Sequence, residues 1–336
     1  MNKEFYNIYE YLEKEGFYID LNEFDLQIQV HPAYPSLLSI TDTLSFFNVN
    51  NGAFHIDSSR IDSLPNRFMA ILRDENYERR YCIIEVKNEN YICYNGKSKV
   101  KISKKELESQ WSGVVILIEN PELETGNVLK KILIKIRDKQ SKENKNTHNY
   151  QAFKETLLSF NILENNLPQS STIQLGNIDA SLKIIMVINP FSNFCKESYF
   201  ILEEILQKNF DKVGLDIRFN FNNNDYSYKK SKIIHQQLVA FYLENGQEFF
   251  MKELHNWFEN KDEKKLCATP ISPLNEIKIN EILNAQFNSN SENNIIFTPT
   301  IVINKYIFPK QIDLKELSYF LSEISEDKDF QEYEMK

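Results

Sequence analysis

The spacing of apolar residues changes along the chain, and this change limits the folds that it can adopt. Apolar side chains recur at helical spacing in three stretches near the N-terminus, at residues 3–15, 21–30 and 36–47. After Asn51-Gly52 the pattern becomes one of short runs typical of β-strands, at residues 68–72, 81–86, 91–94, 100–102 and 114–118. Helices followed by an antiparallel sheet predict an α+β domain over residues 1–120.

The second half of the sequence mixes strand and helix patterns. The predicted order is strand, strand, helix, strand, helical block, strand pair and helix, at residues 173–175, 182–188, 192–209, 215–221, 228–286, 300–308 and 313–323. This order predicts an α/β domain over residues 169–325 in which residues 228–286 form a helical insertion. The acidic tail, residues 326–336, is expected to fray.

Between the two predicted domains lies a basic linker, residues 121–168. An apolar stripe at residues 128–136 predicts a helix whose other faces carry Lys130, Lys131, Lys135 and Arg137. The favoured interpretation is a solvated connecting helix whose stripe packs on one of the domains. The alternative is a helix that lies on an anionic membrane surface.

Composition excludes several classes of function. The 336 residues include 39 Lys and Arg against 48 Asp and Glu, and the resulting charge of −9 disfavours a nucleic-acid-binding protein. Among the 8 glycines the closest two, Gly113 and Gly126, lie 13 positions apart, which excludes the common nucleotide-binding loops. The five histidines show no metal-ligand spacing. We therefore expect no cofactor and no metal.

The sequence shows no membrane span and no export signal. No apolar run approaches the roughly 18 residues of a membrane span, and the N-terminus lacks the features of an export signal, so the sequence predicts a cytoplasmic protein. The four cysteines form no Cys-x-x-Cys pair and are expected to be thiols. Cys82 and Cys93 would face each other in a hairpin that turns at Lys87-Asn88, a register that permits a disulfide, but ordinary β-core thiols are the favoured interpretation.

Two segments of the second half carry a family resemblance. Residues 187–197, which include Ser192 and Cys195, resemble the strand-to-helix junction where thioredoxin-like disulfide oxidoreductases carry Cys-x-x-Cys. Residues 297–306, which begin Phe-Thr-Pro-Thr, resemble the Thr-Pro-Thr stretch of the same family. The resemblance implies that Pro299 is the family's cis proline and that the backbone of Thr298 pairs with an extended substrate.

The first half carries a second resemblance. Residues 31–44 and 106–113 resemble papain-like leader peptidases, which trim double-glycine bacteriocin precursors. More closely, residues 1–119 and 150–325 are similar to bacterial fusion proteins in which such a domain precedes a vitamin K epoxide reductase membrane domain and a thioredoxin-like domain. The membrane domain is absent here. The resemblance implies a papain-like N-terminal domain followed by a thioredoxin-like domain with a helical insertion.

The sequence departs from both families at the positions of their reactive residues. Alignment with the peptidases puts Pro35 at the nucleophilic cysteine, Tyr81 or Cys82 at the histidine and Tyr94 at the aspartate, and none of these side chains can replace its counterpart. Ser192 takes the place of the attacking cysteine of the thioredoxin family, and a serine hydroxyl forms no disulfide. Only Cys195 remains. The favoured interpretation is a buried, inert thiol, and the alternative is a redox cysteine that forms a mixed disulfide with a client.

These departures favour a binding protein over an enzyme. The expected function is to bind a peptide or protein client in the maturation or export of a small secreted peptide, with Ser192, Cys195, Thr298 and Pro299 lining the groove. One alternative is a thiol-disulfide oxidoreductase that uses Cys195 alone or with Cys267. The other is a peripheral membrane adaptor that is held by the basic helix at residues 128–139.

Overall fold

The computed structural model describes residues 6–73, 79–87, 90–95, 98–119, 149–164, 166–222, 229–268, 270–310 and 312–331. The chain divides into two compact units, Met1–Lys139 and Gln140–Lys336, and each is described by itself. The predicted basic helix at 128–139, with Lys130, Lys131, Lys135 and Arg137, lies outside the described residues.

The N-terminal unit places three helices before a six-stranded sheet. Its elements are α1 (Tyr6–Lys14), α2 (Leu21–Gln29), α3 (Leu37–Phe46), β1 (Asn50–His55), β2 (Arg67–Arg73), β3 (Arg79–Lys87), β4 (Asn90–Asn95), β5 (Ser98–Ile102), α4 (Lys104–Gln110) and β6 (Trp111–Glu119). The strand order is β1-β6-β2-β3-β4-β5, with every pairing antiparallel. The predicted α+β architecture is therefore present.

Helix starts in this unit follow from local capping. The Asp20 side chain accepts the N–H groups of Asn22 and Glu23 before α2, and the Ser36 hydroxyl accepts the N–H of Ser39 before α3. Ser103 and Glu106 form a capping box before α4. Each cap satisfies helix N–H groups that have no partner within the helix.

The strands of this sheet carry apolar side chains on both faces, so each face packs against its own hydrophobic cluster. Met69 and Ile83 join a cluster with residues of α1, α2 and α3, while Phe68 and Ile84 join a second cluster with Leu107 of α4. Successive side chains of a strand point to opposite faces, so the two clusters lie on opposite sides of the sheet.

One strand departs from the sequence-based prediction. Asn51-Gly52 marks the start of the β-rich part in the sequence, but both residues lie inside β1 and pair with Ile118 and Leu117 of β6. This pairing joins positions far apart in the chain, so a local turn signal could not reveal it.

The C-terminal unit mixes parallel and antiparallel strands. Its elements are α5 (Tyr150–Leu158), β7 (Gln174–Gly176), β8 (Leu182–Ile188), α6 (Asn193–Lys208), β9 (Val213–Phe219), α7 (Lys229–Asn260), α8 (Glu263–Leu266), α9 (Pro273–Glu292), β10 (Thr300–Ile303), β11 (Tyr306–Ile307), α10 (Leu321–Glu326) and α11 (Lys328–Gln331). The strand order is β11-β10-β8-β9-β7; β8 and β9 are parallel, and the other pairings are antiparallel. Helices α7 to α9 form the predicted insertion.

Residues near both ends of this unit are packed into its core, although the sequence predicts a linker at one end and a frayed tail at the other. Helix α5 falls within the predicted linker, yet its Phe153 and Leu157 belong to the core of the C-terminal unit. The acidic tail does not fray at its beginning, because Phe330 is buried and its carbonyl accepts a hydrogen bond from the Asn304 amide at 2.8 Å. Lys154 contacts Asp327 at 2.7 Å and completes this attachment.

Candidate functional site

The predicted thioredoxin-type motif lies where β8 turns into α6. Strand β8 ends at Ile188, and Ser192 caps the helix that begins at Asn193. The Ser192 hydroxyl accepts a hydrogen bond from the N–H of Cys195 at 3.1 Å. Ser192 is fully buried, so its hydroxyl serves the helix start as an N-cap.

Cys195 lies in the first turn of α6 and is equally buried. Its exposed fraction is 0%, and it belongs to the core of the C-terminal unit. Its Sγ accepts a hydrogen bond from the N–H of Asn189 at 3.4 Å. The thiol is therefore shielded from solvent while it secures the loop that precedes the helix.

The Thr-Pro-Thr segment lies at the same end of the sheet, where β8 finishes and β10 begins. The Thr298-Pro299 peptide bond is cis, and Thr300 of β10 pairs with Val187 of β8. This antiparallel register places Pro299 beside the end of β8, from which the Ser192 loop continues. Thr298 is buried and Pro299 is half-buried. The structure thus brings all four predicted residues to one end of the sheet.

The helical insertion contacts the loop after β8 through hydrogen bonds that the sequence did not predict. The indole N–H of Trp257 in α7 donates to the carbonyl of Pro190 at 2.8 Å, and the ammonium of Lys261 donates to the same oxygen. The Phe191 ring packs edge-on against the indole, 5.5 Å between centroids. These contacts link residues more than sixty positions apart, and the only local signal for them is the aromatic composition of α7.

A buried histidine borders the same loop. The His235 ring stacks on Phe221 at 4.3 Å and lies 6.3 Å from Phe191. Its Nδ1–H donates to the Ser231 carbonyl at 2.7 Å, while burial lowers the pKa of His235 to about 4. At neutral pH this imidazole is uncharged and acts as packing.

The other redox candidate offers little reactivity. Cys267 follows α8 and is half-buried. Burial, together with the carboxylate of Glu263, raises the pKa of its thiol. A raised pKa leaves little thiolate at neutral pH, and the thiolate is the nucleophile.

Two of the peptidase-like positions, Tyr81 and Tyr94, pack on the same face of the N-terminal sheet. Pro35 directly precedes Ser36, the N-cap of α3. Tyr34, Tyr81 and Tyr94 pack against the cluster that joins helices α1 to α3 to the sheet, whereas Cys82 belongs to the cluster on the opposite face. Of the two candidates for the histidine position, only Tyr81 faces the site. A proline and two tyrosines provide neither nucleophile nor base for acyl transfer at neutral pH.

Tyr94 takes part in a charged network instead. Its hydroxyl donates to Glu85 at 2.8 Å, and the guanidinium of Arg67 donates to the same carboxylate at 2.9 Å. Burial alone would raise the pKa of Glu85, but hydrogen bonds from Lys87, Tyr94 and Arg67 outweigh it and lower the pKa to about 2. The group stays ionised at neutral pH and secures strand β3.

Neither a metal site nor a membrane span is found in the described part of the chain. Within the described ranges, no three His, Cys, Asp or Glu side chains gather in a way that could hold a metal ion. Among the helices that the structure describes, none is both long and apolar enough to cross a bilayer.

Known proteins resemble each unit separately. Residues 169–323 match the thioredoxin family model, and residues 11–122 match the Peptidase C39 family model. No curated protein matches the chain significantly.

Three solved structures illustrate the similarity. BdbD from Bacillus subtilis is 17% identical over 50% of this chain and 100% of its own, with a TM-score of 0.40. Proteus mirabilis ScsC is 16% identical over 58% of this chain and 88% of its own, with a TM-score of 0.39. The peptidase domain of Streptococcus ComA, a bi-functional ABC transporter, is 14% identical over 32% of this chain and 82% of its own, with a TM-score of 0.28. From the two family matches we conclude that the protein joins an N-terminal domain of the Peptidase C39 type to a C-terminal thioredoxin-like domain.

Proposed function

We propose that the protein binds an extended polypeptide on the surface around Ser192 and Pro299 of its thioredoxin-like domain and exchanges no disulfide with it. The proposed client is a small precursor peptide in maturation or export, because the N-terminal domain matches the Peptidase C39 family while its reactive positions are occupied by Pro35, Tyr81 and Tyr94. The protein would hold such a client without cleaving it.

The state of Cys195 carries the proposal. A thiol-exchange enzyme needs an accessible thiolate at the start of the helix. Here the first position is a serine whose hydroxyl caps the helix, and the remaining thiol is fully buried with its sulfur already accepting the Asn189 N–H. A disulfide in a client cannot reach this sulfur without opening the core.

The surface around these buried groups suits a polypeptide. Phe191 and Phe194 flank Ser192 and are half-buried, as is Pro299. Half-buried apolar side chains can gain further burial against a client, at about 25 cal/mol per Å². Recognition of an extended chain through main-chain hydrogen bonds and such apolar contacts needs no reactive side chain.

Trp257 provides a direct measurement of binding. Its ring contacts Phe191, and the chain has only 2 tryptophans, so a Trp111→Phe background isolates its fluorescence. The probe is reduced, carboxymethylated α-lactalbumin, which is permanently unfolded and has no free thiol. We expect saturable quenching or a spectral shift. Phe191→Ala should weaken binding, whereas the matched change Phe249→Ala, at a more distant ring of α7, should not.

A second set of experiments distinguishes polypeptide binding from thiol-disulfide exchange. We expect the wild-type protein to show no insulin reduction and Cys195 to react with iodoacetamide only after unfolding. Ser192→Cys should create a pair with Cys195 that oxidises readily, because a thiol at a helix N-cap is acidified by the helix N–H groups. Wild-type insulin turnover that Cys195→Ala abolishes would establish the oxidoreductase alternative. Vesicle binding that Lys130→Glu and Lys131→Glu remove, without any binding of the unfolded probe, would establish the membrane alternative.

A further inference from the structure

Two thiols outside both sites lie on neighbouring strands of the N-terminal domain. Cys82 is on β3 and Cys93 is on β4, where Cys93 pairs with Ile84. The hairpin turns between Lys87 and Asn90, not at Lys87-Asn88, so the expectation that the two cysteines face each other directly is wrong. They are diagonal neighbours on the same face, and both pack in the cluster that contains Phe68 and Leu107.

The two thiols interact and are unequal. The interaction between their side chains raises the pKa of Cys82 and lowers that of Cys93. Cys82 is only 3% exposed, whereas Cys93 is half-buried. The more accessible sulfur is therefore also the one whose thiolate is stabilised, which is the arrangement of an attacking thiol beside a resolving thiol.

We propose that Cys93 and Cys82 form a reversible dithiol-disulfide pair that reacts with disulfide oxidants such as oxidised glutathione. The Cys93 thiolate attacks one sulfur of the oxidant, forming a mixed disulfide and releasing one glutathione thiolate, which takes up a proton. Cys82 then gives up its proton and attacks the Cys93 sulfur, which releases the second glutathione. Two protein thiols lose two electrons and become a disulfide, while one glutathione disulfide gains them and becomes two glutathione molecules.

The diagonal register indicates why the bond would be reversible. Diagonal neighbours in an antiparallel pair have Cα atoms about 7–8 Å apart, just beyond the usual range of a disulfide, so closure requires β4 to shift toward β3. Strand β4 has only the edge strand β5 on its other side. Disulfides that carry strain are the ones that cellular thiols reduce readily.

A disulfide between the two cysteines would also affect the opposite face of the sheet, which carries Tyr81 and Tyr94. Tyr81 and Tyr94 directly adjoin Cys82 and Cys93 in the sequence, and they pack on the opposite side of the sheet. A bond between the cysteines would therefore tie together the two strands that carry these tyrosines.

Peptide mapping of the full-length wild-type protein tests the proposal. The protein is equilibrated in glutathione buffers of rising oxidised fraction, quenched with iodoacetamide and digested with trypsin, which separates Cys82 in peptide 81–87 from Cys93 in peptide 88–97. We expect these two peptides to become linked in the native protein and to separate again with dithiothreitol. In the reduced protein, Cys93 should be alkylated at least about tenfold faster than Cys82, because rate follows the thiolate fraction.

Two single variants identify the roles of the thiols. Cys82→Ser should trap glutathione on Cys93, since the mixed disulfide is no longer resolved, and Cys93→Ser should leave Cys82 unmodified. The proposal is overturned if the wild-type peptides link only in urea, if Cys93 pairs with Cys195 or Cys267, or if Cys82 is the thiol modified first. Because the linked peptide is measured in the wild type, a variant that fails to fold does not weaken the test.

Discussion

At the scale of single residues, one hydroxyl distinguishes Ser192 from the cysteine that the family resemblance places at this position. Ser192 keeps the N-cap geometry that starts α6, with its Oγ 3.1 Å from the N–H of Cys195. A cysteine at this position would be stabilised as a thiolate by the same N–H groups, whereas a serine stays neutral. The helix start could therefore stabilise a thiolate, but Ser192 itself has no thiol.

A second residue, Glu85, makes the stability of the N-terminal domain sensitive to acid. Its pKa is lowered from 4.5 to about 2, so its contribution to stability is present above pH 4.5 and is lost as the pH falls through 2. A shift of this size corresponds to on the order of 3 kcal/mol. Glu85→Gln should remove that contribution at neutral pH and flatten the pH dependence of unfolding between about pH 5 and pH 2.

Urea unfolding followed by the fluorescence of Trp111, in a Trp257→Phe background, measures this effect over a series of pH values. The exposed carboxylate of Glu13 provides the matched control, and Glu13→Gln should leave the profile nearly unchanged. Equal pH profiles for the wild type and Glu85→Gln would show that the network around Glu85 does not stabilise the native domain.

At the scale of elements, α7 is two helices that meet at a glycine. Gly246 has φ 79° and ψ −175°, a conformation available essentially to glycine alone. The residue after the break, Gln247, accepts the N–H of Gly176 at the end of β7 with its side-chain oxygen at 2.8 Å. Gln247 and Trp257 both follow the break, so the second half of α7 contacts the end of β7 as well as Pro190.

Replacement of this glycine should destabilise the C-terminal domain although space is available. An added Cβ at Gly246 meets nothing within 4 Å, so the cost of Gly246→Ala arises from the backbone and should be about 1–3 kcal/mol. Asn245→Ala, at the exposed neighbouring position, should change stability by much less. Urea unfolding followed by Trp257 measures both variants; equal midpoints would mean that alanine adopts this conformation without strain.

At the scale of the whole molecule, each domain has its own apolar core. Phe24 is fully buried among helices α1 to α3 of the N-terminal domain, and Phe250 is fully buried in the core of the C-terminal domain. We expect Phe24→Ala to destabilise the first domain by about 3–5 kcal/mol and to leave the second nearly unchanged, and Phe250→Ala to do the reverse.

The 2 tryptophans distinguish the two transitions, since Trp111 reports the first domain and Trp257 the second. Unfolding curves recorded in single-tryptophan backgrounds would show one displaced midpoint for each variant. If either variant displaces both midpoints equally, the two cores unfold as one cooperative unit.

Local sequence was sufficient for the features that depend on neighbouring residues. Helical periodicity located α1 to α3 and alternation located most strands, and the two motifs around Ser192 and Thr298-Pro299 lie together at one end of a sheet. The unreactive character of Pro35, Tyr81, Tyr94 and Ser192 also follows from residue type alone. Such properties depend on propensity, capping and side-chain chemistry, which act over a few residues.

Only the tertiary structure decided the features that join distant positions. Three such features have no local signature in the sequence. They are the pairing of Asn51 and Gly52 with β6, the diagonal contact of Cys82 with Cys93, and the hydrogen bond from Trp257 to Pro190. Register in a sheet and packing between a helix and a loop are selected by the burial that the whole core achieves, so identical local patterns are compatible with several arrangements. Residue type alone determines the chemical properties of each side chain, whereas its tertiary contacts are determined by the packing of the two cores.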